Sequence, residues 1–312
     1  MTLARGRLLA GVLGALVLFS SPASAVEGGT SPYLRGSANF MAGILPPGPA
    51  LYLTDMYAYM DGSTDAEVRN GLIESNVSYK ANGQLLFATY TTDRTFLGAR
   101  YGFGGALSYL NMKLHADIGA PIGTIANLGN AGLGDSLLEP VALGWDSGNW
   151  HWLGDLFVYI PTGEFHKGQL NVGRNFWAFM PQFSLTYFDP KAGWDASLTL
   201  TWVSMTENTA TQYQSGDILH LEFSSGYHFT GLGGAWEAGV AGNVMDQVAP
   251  DSGAGAKLGP LEAKAFGIGP IVTYSSKLNG VPVAFSARWQ HDVSATKTLG
   301  GNIVYVTATA VL

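Results

Sequence analysis

Residues 194–204 read WDASLTLTWVS, and this stretch decides the fold because its side chains alternate between apolar and polar. The even positions hold tryptophan, alanine and leucine, whereas the odd positions open with Asp195, Ser197, Thr199 and Thr201. A period of two residues is typical of a β-strand whose two faces have different surroundings. The stretch therefore predicts a strand with one face suited to lipid and the other to a polar interior.

The same alternation recurs along the rest of the chain. Residues 150–160, 76–86 and 281–291 each place polar side chains opposite a mostly apolar set. The phase runs unbroken through Asn82 and Gly83, which favours one long strand there over a tight hairpin.

Eleven predicted chain reversals separate twelve such segments, and short reversals alternate with long ones. This alternation is typical of bacterial outer-membrane β-barrels, which have short periplasmic turns, longer outer loops and an even number of strands. The short reversals are predicted at residues 92–96, 146–149, 189–193, 230–234 and 277–280, and the long ones at residues 61–71, 118–131, 162–173, 206–212, 249–261 and 293–300.

Two segments fit the alternation less well. Residues 133–145 place Glu139 in phase with apolar side chains, and residues 51–60 place Asp55 among leucines and tyrosines. A β-bulge, or an apolar patch inside a barrel, would explain either irregularity.

The first 25 residues are typical of a cleaved secretory signal peptide. Arg5 and Arg7 precede an apolar run, residues 8–19, that is too short to span a bilayer, and residues 23–25 (ASA) fit a cleavage site. The chain has no cysteine, so no disulfide framework is expected after export. Its formal net charge of −7 disfavours nucleic acid as a partner, because phosphate binding needs clustered Lys and Arg.

The remaining residues predict a membrane protein built from strands. Only 12% of residues are charged and 12% are aromatic, and no apolar run of about 18 residues follows the signal peptide. A membrane protein without such helices must be a closed barrel. We therefore expect an all-β, antiparallel transmembrane β-barrel of about 12 strands over residues 51–312, in the outer membrane of a Gram-negative bacterium. Its expected partners are outer-membrane lipid and the barrel assembly machinery. A secreted β-sandwich or solenoid is the alternative, since its strands also alternate.

Residues 26–50 precede the predicted barrel and form either a hatch folded into the lumen or a periplasmic tail. Pro46, Pro47 and Pro49 exclude another strand, because each lacks a donor for the ladder. The apolar side chains in this region favour the hatch, since a flexible tail does not need them. The hatch candidates are Phe40, Met41, Ile44 and Leu45.

Charged and histidine side chains assigned to the lumen are the candidate ligand-path residues. They either form an internal network that fills the barrel, because buried charges need partners, or line a permeation path. The candidates are Lys80, Lys113, His115, His151, Asp155, Arg174, His220, Glu222 and Arg288. No catalytic set, metal site or cofactor site is predicted: His220 and Ser224 lie about 13 Å apart along one strand, and Lys113 would repel a metal from His115 and Asp117.

Several longer stretches resemble the MetA-pathway of phenol degradation family, in the order in which they occur there. They are NFMAGILPPGPALYL (39–53), GARYGFG (98–104), GLGDSLLEPVALGW (132–145), GNWHWLGDLFVYIPTGEF (148–165), NVGRNFW (171–177), TQYQSGDILHLEF (211–223) and GIGPIVTYSS (267–276). The resemblance implies an outer-membrane channel, not an enzyme, that takes up small hydrophobic, phenol-like aromatic compounds. A lipid-acting outer-membrane enzyme and a structural barrel without transport are the alternatives.

Overall fold

A computed structural model describes residues 31–68, 73–118, 123–256 and 262–312, so the predicted signal peptide lies outside the described residues. The described part consists mainly of β-strands. In chain order they are β1 (Ala50–Val68), β2 (Ile73–Phe96), β3 (Ala99–Ile118), β4 (Gly123–Leu133), β5 (Ser136–Ser147), β6 (Trp150–Ile160), β7 (Ala178–Asp189), β8 (Trp194–Met205), β9 (Ile218–Gly231), β10 (Gly234–Gln247), β11 (Lys264–Leu278), β12 (Val281–Thr296) and β13 (Gly300–Val311).

The strands form one closed antiparallel barrel. Each strand from β5 to β13 pairs with its neighbour in sequence, and β13 closes the sheet on β1, which continues through β2 to β3. One part of β3 pairs with β4 and the other with β5, so these two together make one interrupted wall strand. The wall therefore has twelve strands, which confirms the predicted fold.

The two faces of β8 show why this sequence forms a membrane barrel. Ser197, Thr199 and Thr201 are buried, whereas Leu198 and Trp202 on the other face are 45% and 40% exposed. Polar side chains thus point into the barrel and apolar ones point outward, which suits lipid outside and a polar interior. Among the described residues, no helix has the length and apolarity needed to cross a membrane.

The prediction of long loops at residues 61–71, 118–131 and 293–300 was wrong in extent. Strands β1 and β4 occupy most of the first two regions, and β12 continues to Thr296; residues 69–72 and 119–122 lie outside the described residues. A lipid-facing strand needs about 9–11 residues, whereas β1, β2 and β3 have 19, 24 and 20. Their far ends therefore extend beyond the membrane, where the outer face no longer needs apolar side chains and the sequence resembles that of a loop.

Three of the short two-residue turns have positive φ at both turn residues, and the position of one of them corrects a prediction. Residues 92–96 stay within β2, and the chain reverses at Leu97 and Gly98, after a register shift between Thr91 and Thr95. Both turn residues have positive φ, as do Leu232 with Gly233 and Asn279 with Gly280. Such turns match the twist of the paired strands, and the second residue needs the freedom of glycine.

The two irregular segments have different explanations. The register of β5 against β6 shifts between Leu138 and Val141, so a bulge turns Glu139 into the interior. Asp55 pairs regularly on β1 and instead lies on the outer face, where its Oδ2 accepts a hydrogen bond from Gln84 Nε2 at 2.9 Å.

Candidate functional site

Residues 31–49, here called the N-terminal segment, lie inside the barrel. Gly36 N donates to Glu222 on β9, Gly43 N donates to Thr186 on β7, and Arg35 binds an aspartate of β12. A buried segment that contacts strands on different sides of a closed wall must run through the lumen.

Glu222 and Arg288 hold the backbone of the N-terminal segment between them, and we call this pair the clamp. The Glu222 carboxylate accepts hydrogen bonds from Gly36 N and Ala38 N, both at 2.7 Å. The Arg288 guanidinium donates to the carbonyl oxygens of Gly36, Ser37 and Ala38, and to Asn39 Oδ1 at 3.0 Å. Both side chains are buried, so each charge is compensated largely by the peptide groups of the segment.

Further polar contacts hold the first residues of the segment. Arg35 makes a bidentate ion pair with Asp292, with distances of 2.6 and 2.9 Å, and the Tyr305 hydroxyl donates to Arg35 O. Ser31 lies beside His220 and accepts a hydrogen bond from Arg174 through its carbonyl oxygen at 3.2 Å. The segment is therefore anchored by charge at the end nearer the long loops.

Apolar side chains anchor the rest of the segment. Phe40 is buried against Ala241 and Ile271, and Met41 packs against the same cluster. Leu45 is only 2% exposed and lies against Gly144, where an added Cβ would be 2.4 Å from that of Leu45. Ile44, the remaining hatch candidate, is half-buried. Contacts with Thr186 and Gly144, near the short turns, show that the segment reaches the periplasmic end of the lumen.

An apolar cluster faces the lumen near the long-loop end. It contains nine buried side chains, against which Tyr33 and Phe157 also pack. The buried members are Phe176, Ala178, Met180, Val203, Met205, Ile218, Met245, Ala263 and Ala265. Methionine adapts its shape readily and makes favourable contacts with aromatic rings. The outer part of the lumen is therefore lined by buried apolar side chains that pack against Tyr33 of the N-terminal segment.

Buried carboxylates fix the loops around this outer mouth. Asp135 accepts hydrogen bonds from Gly163 N and Arg174 N, at 2.7 and 2.8 Å. Asp251 accepts hydrogen bonds from Tyr213, Gly216 and Gln247. Burial raises the pKa of Asp251, although these hydrogen bonds oppose the shift. The Asp135 and Asp251 carboxylates thus hold the described parts of these loops in place.

Three of the predicted lumen residues face outward instead. Lys80, Lys113 and His115 are exposed, whereas the neighbouring Ala81 and Ala116 point inward and are buried. Lys80 stands directly opposite Lys113 on the long ends of β2 and β3. Because these ends extend past the lipid, the polar face of the alternation is the outer one there, and the assignment to the lumen was wrong.

The other predicted lumen residues lie inside or at the rim. His151 pairs with Asp146 at 2.5 Å near the short turns, and Asp155 is buried and accepts a hydrogen bond from Gln182. Arg174 lies on the loop between β6 and β7 rather than on a strand, and contacts the N-terminal segment from there. His220 is buried, with its ring 4.6 Å from that of Tyr33. Each of these four residues thus has a described partner inside the barrel or at its rim.

Sequence reasoning missed a cluster at the periplasmic end of the lumen. Asp195, His228 and Glu237 come from β8, β9 and β10, and one ligand atom of each lies within 4.8 Å of the others. The two-residue turn at Leu232 and Gly233 places Glu237 on β10 directly opposite His228 on β9. The proximity of these two side chains could therefore have been inferred from the register of this hairpin. Asp195 has no comparable signal, because a long loop separates β8 from β9.

Comparisons with known proteins agree with the barrel. A family model described as "Putative MetA-pathway of phenol degradation" matches residues 62–308. The COG4313 outer membrane channel from Pseudomonas putida F1 has the same fold, with a TM-score of 0.61 and 14% identity, over 86% of this chain and 97% of that one. Two further structures are more distant. The NanC porin has a TM-score of 0.41 and 8% identity, over 84% of this chain and 100% of that one. The β domain of the Bordetella autotransporter BrkA has a TM-score of 0.44 and 11% identity, over 85% of this chain and 100% of that one. No curated protein sequence matches the chain.

Proposed function

We propose, from the premise that this chain belongs to the MetA-pathway of phenol degradation family, that it is an outer-membrane channel for small apolar compounds, aromatic ones in particular. The observation that carries the proposal is the apolar cluster inside the outer mouth, next to the N-terminal segment. A channel for hydrophilic solutes would instead present charged and hydroxyl groups at this depth. Transfer of a neutral aromatic compound from water to this cluster is favourable, because methionine and aliphatic side chains replace the water around it.

Passage through the lumen requires the N-terminal segment to move, so we propose that this segment is the hatch. It runs through the interior from the outer cluster to the periplasmic end, and it makes several hydrogen bonds with the wall. The clamp binds mainly peptide groups of the segment, and its one described hydrogen bond to a side chain of the segment is the one that Arg288 donates to Asn39 Oδ1. Displacing residues 36–38 therefore exposes a carboxylate and a guanidinium to the lumen, where water can solvate both.

A pair of cysteines is expected to lock the hatch and stop uptake. Asn39 Oδ1 and Ser286 Oγ are 3.1 Å apart, and the chain has no cysteine of its own. In the variant Asn39→Cys/Ser286→Cys, an oxidised disulfide or a short bis-thiol crosslink would fix the segment to β12. Cells that carry the crosslinked variant as their only copy should accumulate labelled phenol as slowly as cells without the protein, and a reductant should restore uptake.

Each single cysteine variant serves as the control for this experiment, because it removes the same side chain without forming the crosslink. Both should retain uptake under oxidising conditions. Full uptake by the crosslinked protein would show that the solute does not need the hatch to move, and equal uptake by cells without the protein would refute the channel itself.

Polarity introduced into the apolar cluster is expected to slow uptake of neutral aromatic compounds. Met245→Gln keeps the length of a buried side chain but adds an amide without an assigned partner, at a cost of about 1–3 kcal/mol. Initial uptake of labelled phenol should fall by roughly tenfold, since 1.4 kcal/mol corresponds to a factor of ten. Met245→Leu conserves apolarity and volume and should transport normally. Equal uptake by the two variants would contradict the assignment of the cluster.

A further inference from the structure

We propose that Asp195, His228 and Glu237 bind one divalent transition-metal cation, with Zn²⁺ as the representative ion, at the periplasmic end of the lumen. His228 Nε2 lies 2.8 Å from Asp195 Oδ2 and 3.8 Å from Glu237 Oε1. Ligand atoms around a tetrahedral zinc ion, each about 2.1 Å from the metal, are separated by about 3.4 Å. The three side chains therefore need only small rotations to share an ion.

Unpartnered oxygen atoms in the cluster support a cation site. Asp195 is fully buried and Glu237 is 7% exposed, yet Asp195 Oδ1 and Glu237 Oε1 have no hydrogen-bond partner in the part of the chain that the structure describes. Within the described residues, the ion pairs of both carboxylates are made with His228 alone. Two buried carboxylates facing one imidazole carry excess negative charge, which is costly unless it is neutralised. A divalent cation bound to both carboxylates and the neutral imidazole removes that excess.

The surroundings suit a metal site with an entry path. The side chain of His228 is 27% exposed, so an ion can approach from the periplasmic mouth. On the other side, an added Cβ at Gly226 would lie 2.5 Å from Glu237 Oε1 and 2.8 Å from a ring carbon of Phe40. The N-terminal segment thus covers the cluster, and glycine at position 226 leaves room for the carboxylate. One imidazole and two carboxylates form a ligand set that zinc accepts.

Zinc binding to the purified full-length protein tests the site. Protein stripped with a chelator should bind one equivalent of Zn²⁺ in a calorimetric titration, and Zn²⁺ should raise its unfolding temperature. His228→Gln, Asp195→Asn and Glu237→Gln should each weaken binding by at least about tenfold, because each removes a direct ligand. Cobalt(II) gives a second readout: its visible absorption bands should appear with the wild-type protein and disappear with His228→Gln.

His151→Gln is the matched control. His151 also pairs with an aspartate at the periplasmic end, but there the carboxylate is neutralised by Arg100 at 2.9 Å and no second carboxylate contributes. This variant should bind zinc as the wild type does. Absence of stoichiometric zinc or cobalt binding by the wild-type protein would overturn the proposal, as would an equal loss of binding in His151→Gln. If Asp195 and Glu237 merely share a proton, Glu237→Gln will keep its stability and the wild type will bind no metal, which also overturns it.

Discussion

Replacing Arg288 by methionine is expected to open the channel, with single-channel conductance in planar bilayers rising several-fold. Arg288 donates hydrogen bonds to three successive carbonyl oxygens of the N-terminal segment, and methionine can donate none. The variant also leaves Glu222 buried without the opposite charge of the clamp. Breaking a buried charged arrangement costs about 3–5 kcal/mol, which corresponds to a shift of roughly 10²–10⁴ in the population of the displaced segment.

Two further variants make the Arg288 experiment decisive. Arg94→Met removes an exposed arginine of β2 and should leave the conductance unchanged. The double variant Glu222→Gln/Arg288→Met removes both charges of the clamp, so its barrel should be more stable than that of Arg288→Met alone. Wild-type conductance in Arg288→Met would mean that the other anchors of the segment, such as the Arg35–Asp292 ion pair and the buried Phe40 and Leu45, hold it without the clamp.

The barrel could be predicted from the sequence because lipid imposes a simple rule on each strand. In β8, every second side chain from Trp194 to Trp202 meets acyl chains, so the period of two appears directly in the residues. The rule applies only within the membrane. On the long ends of β2 and β3 the outer face meets water instead of lipid, and Lys80 and His115 were therefore assigned to the wrong face.

The contents of the lumen were only partly predictable, because they depend on pairing between distant residues. The apolar side chains Phe40 and Leu45 indicated that residues 26–50 seek a buried surface, and the structure places both against the inner wall. The sequence could not show that Glu222 and Arg288 bind peptide groups of the segment rather than each other. Strand alternation gives the direction of a side chain, whereas its partner depends on the registers of several intervening strands and on the path of the segment.

Deleting residues 31–45 is expected to have the largest effect of all, since it removes both the polar and the apolar anchors. Liposomes that contain the variant should swell in small sugars such as arabinose, whereas those with the wild-type protein should swell slowly. The barrel should still fold, because the wall makes its own backbone hydrogen bonds and water can solvate Glu222 and Arg288 in the open lumen. If the unboiled variant migrates faster in a denaturing gel than the same variant after boiling, it is folded and can be used in the swelling assay.

A synthetic peptide with the sequence of residues 31–45 provides the control for this deletion. Added to the open barrel, it should reduce the swelling rate by binding again to the clamp and to the Phe40 and Leu45 pockets, while a scrambled peptide of equal composition should not. A correctly folded deletion variant that swells no faster than the wild type would show that another part of the chain closes the lumen. The peptide carries the backbone groups of residues 36–38 that Glu222 and Arg288 bind. Its effect on swelling should therefore be lost when the open barrel also carries Arg288→Met. Such a loss would show that the clamp, and not only the volume of the peptide, closes the lumen.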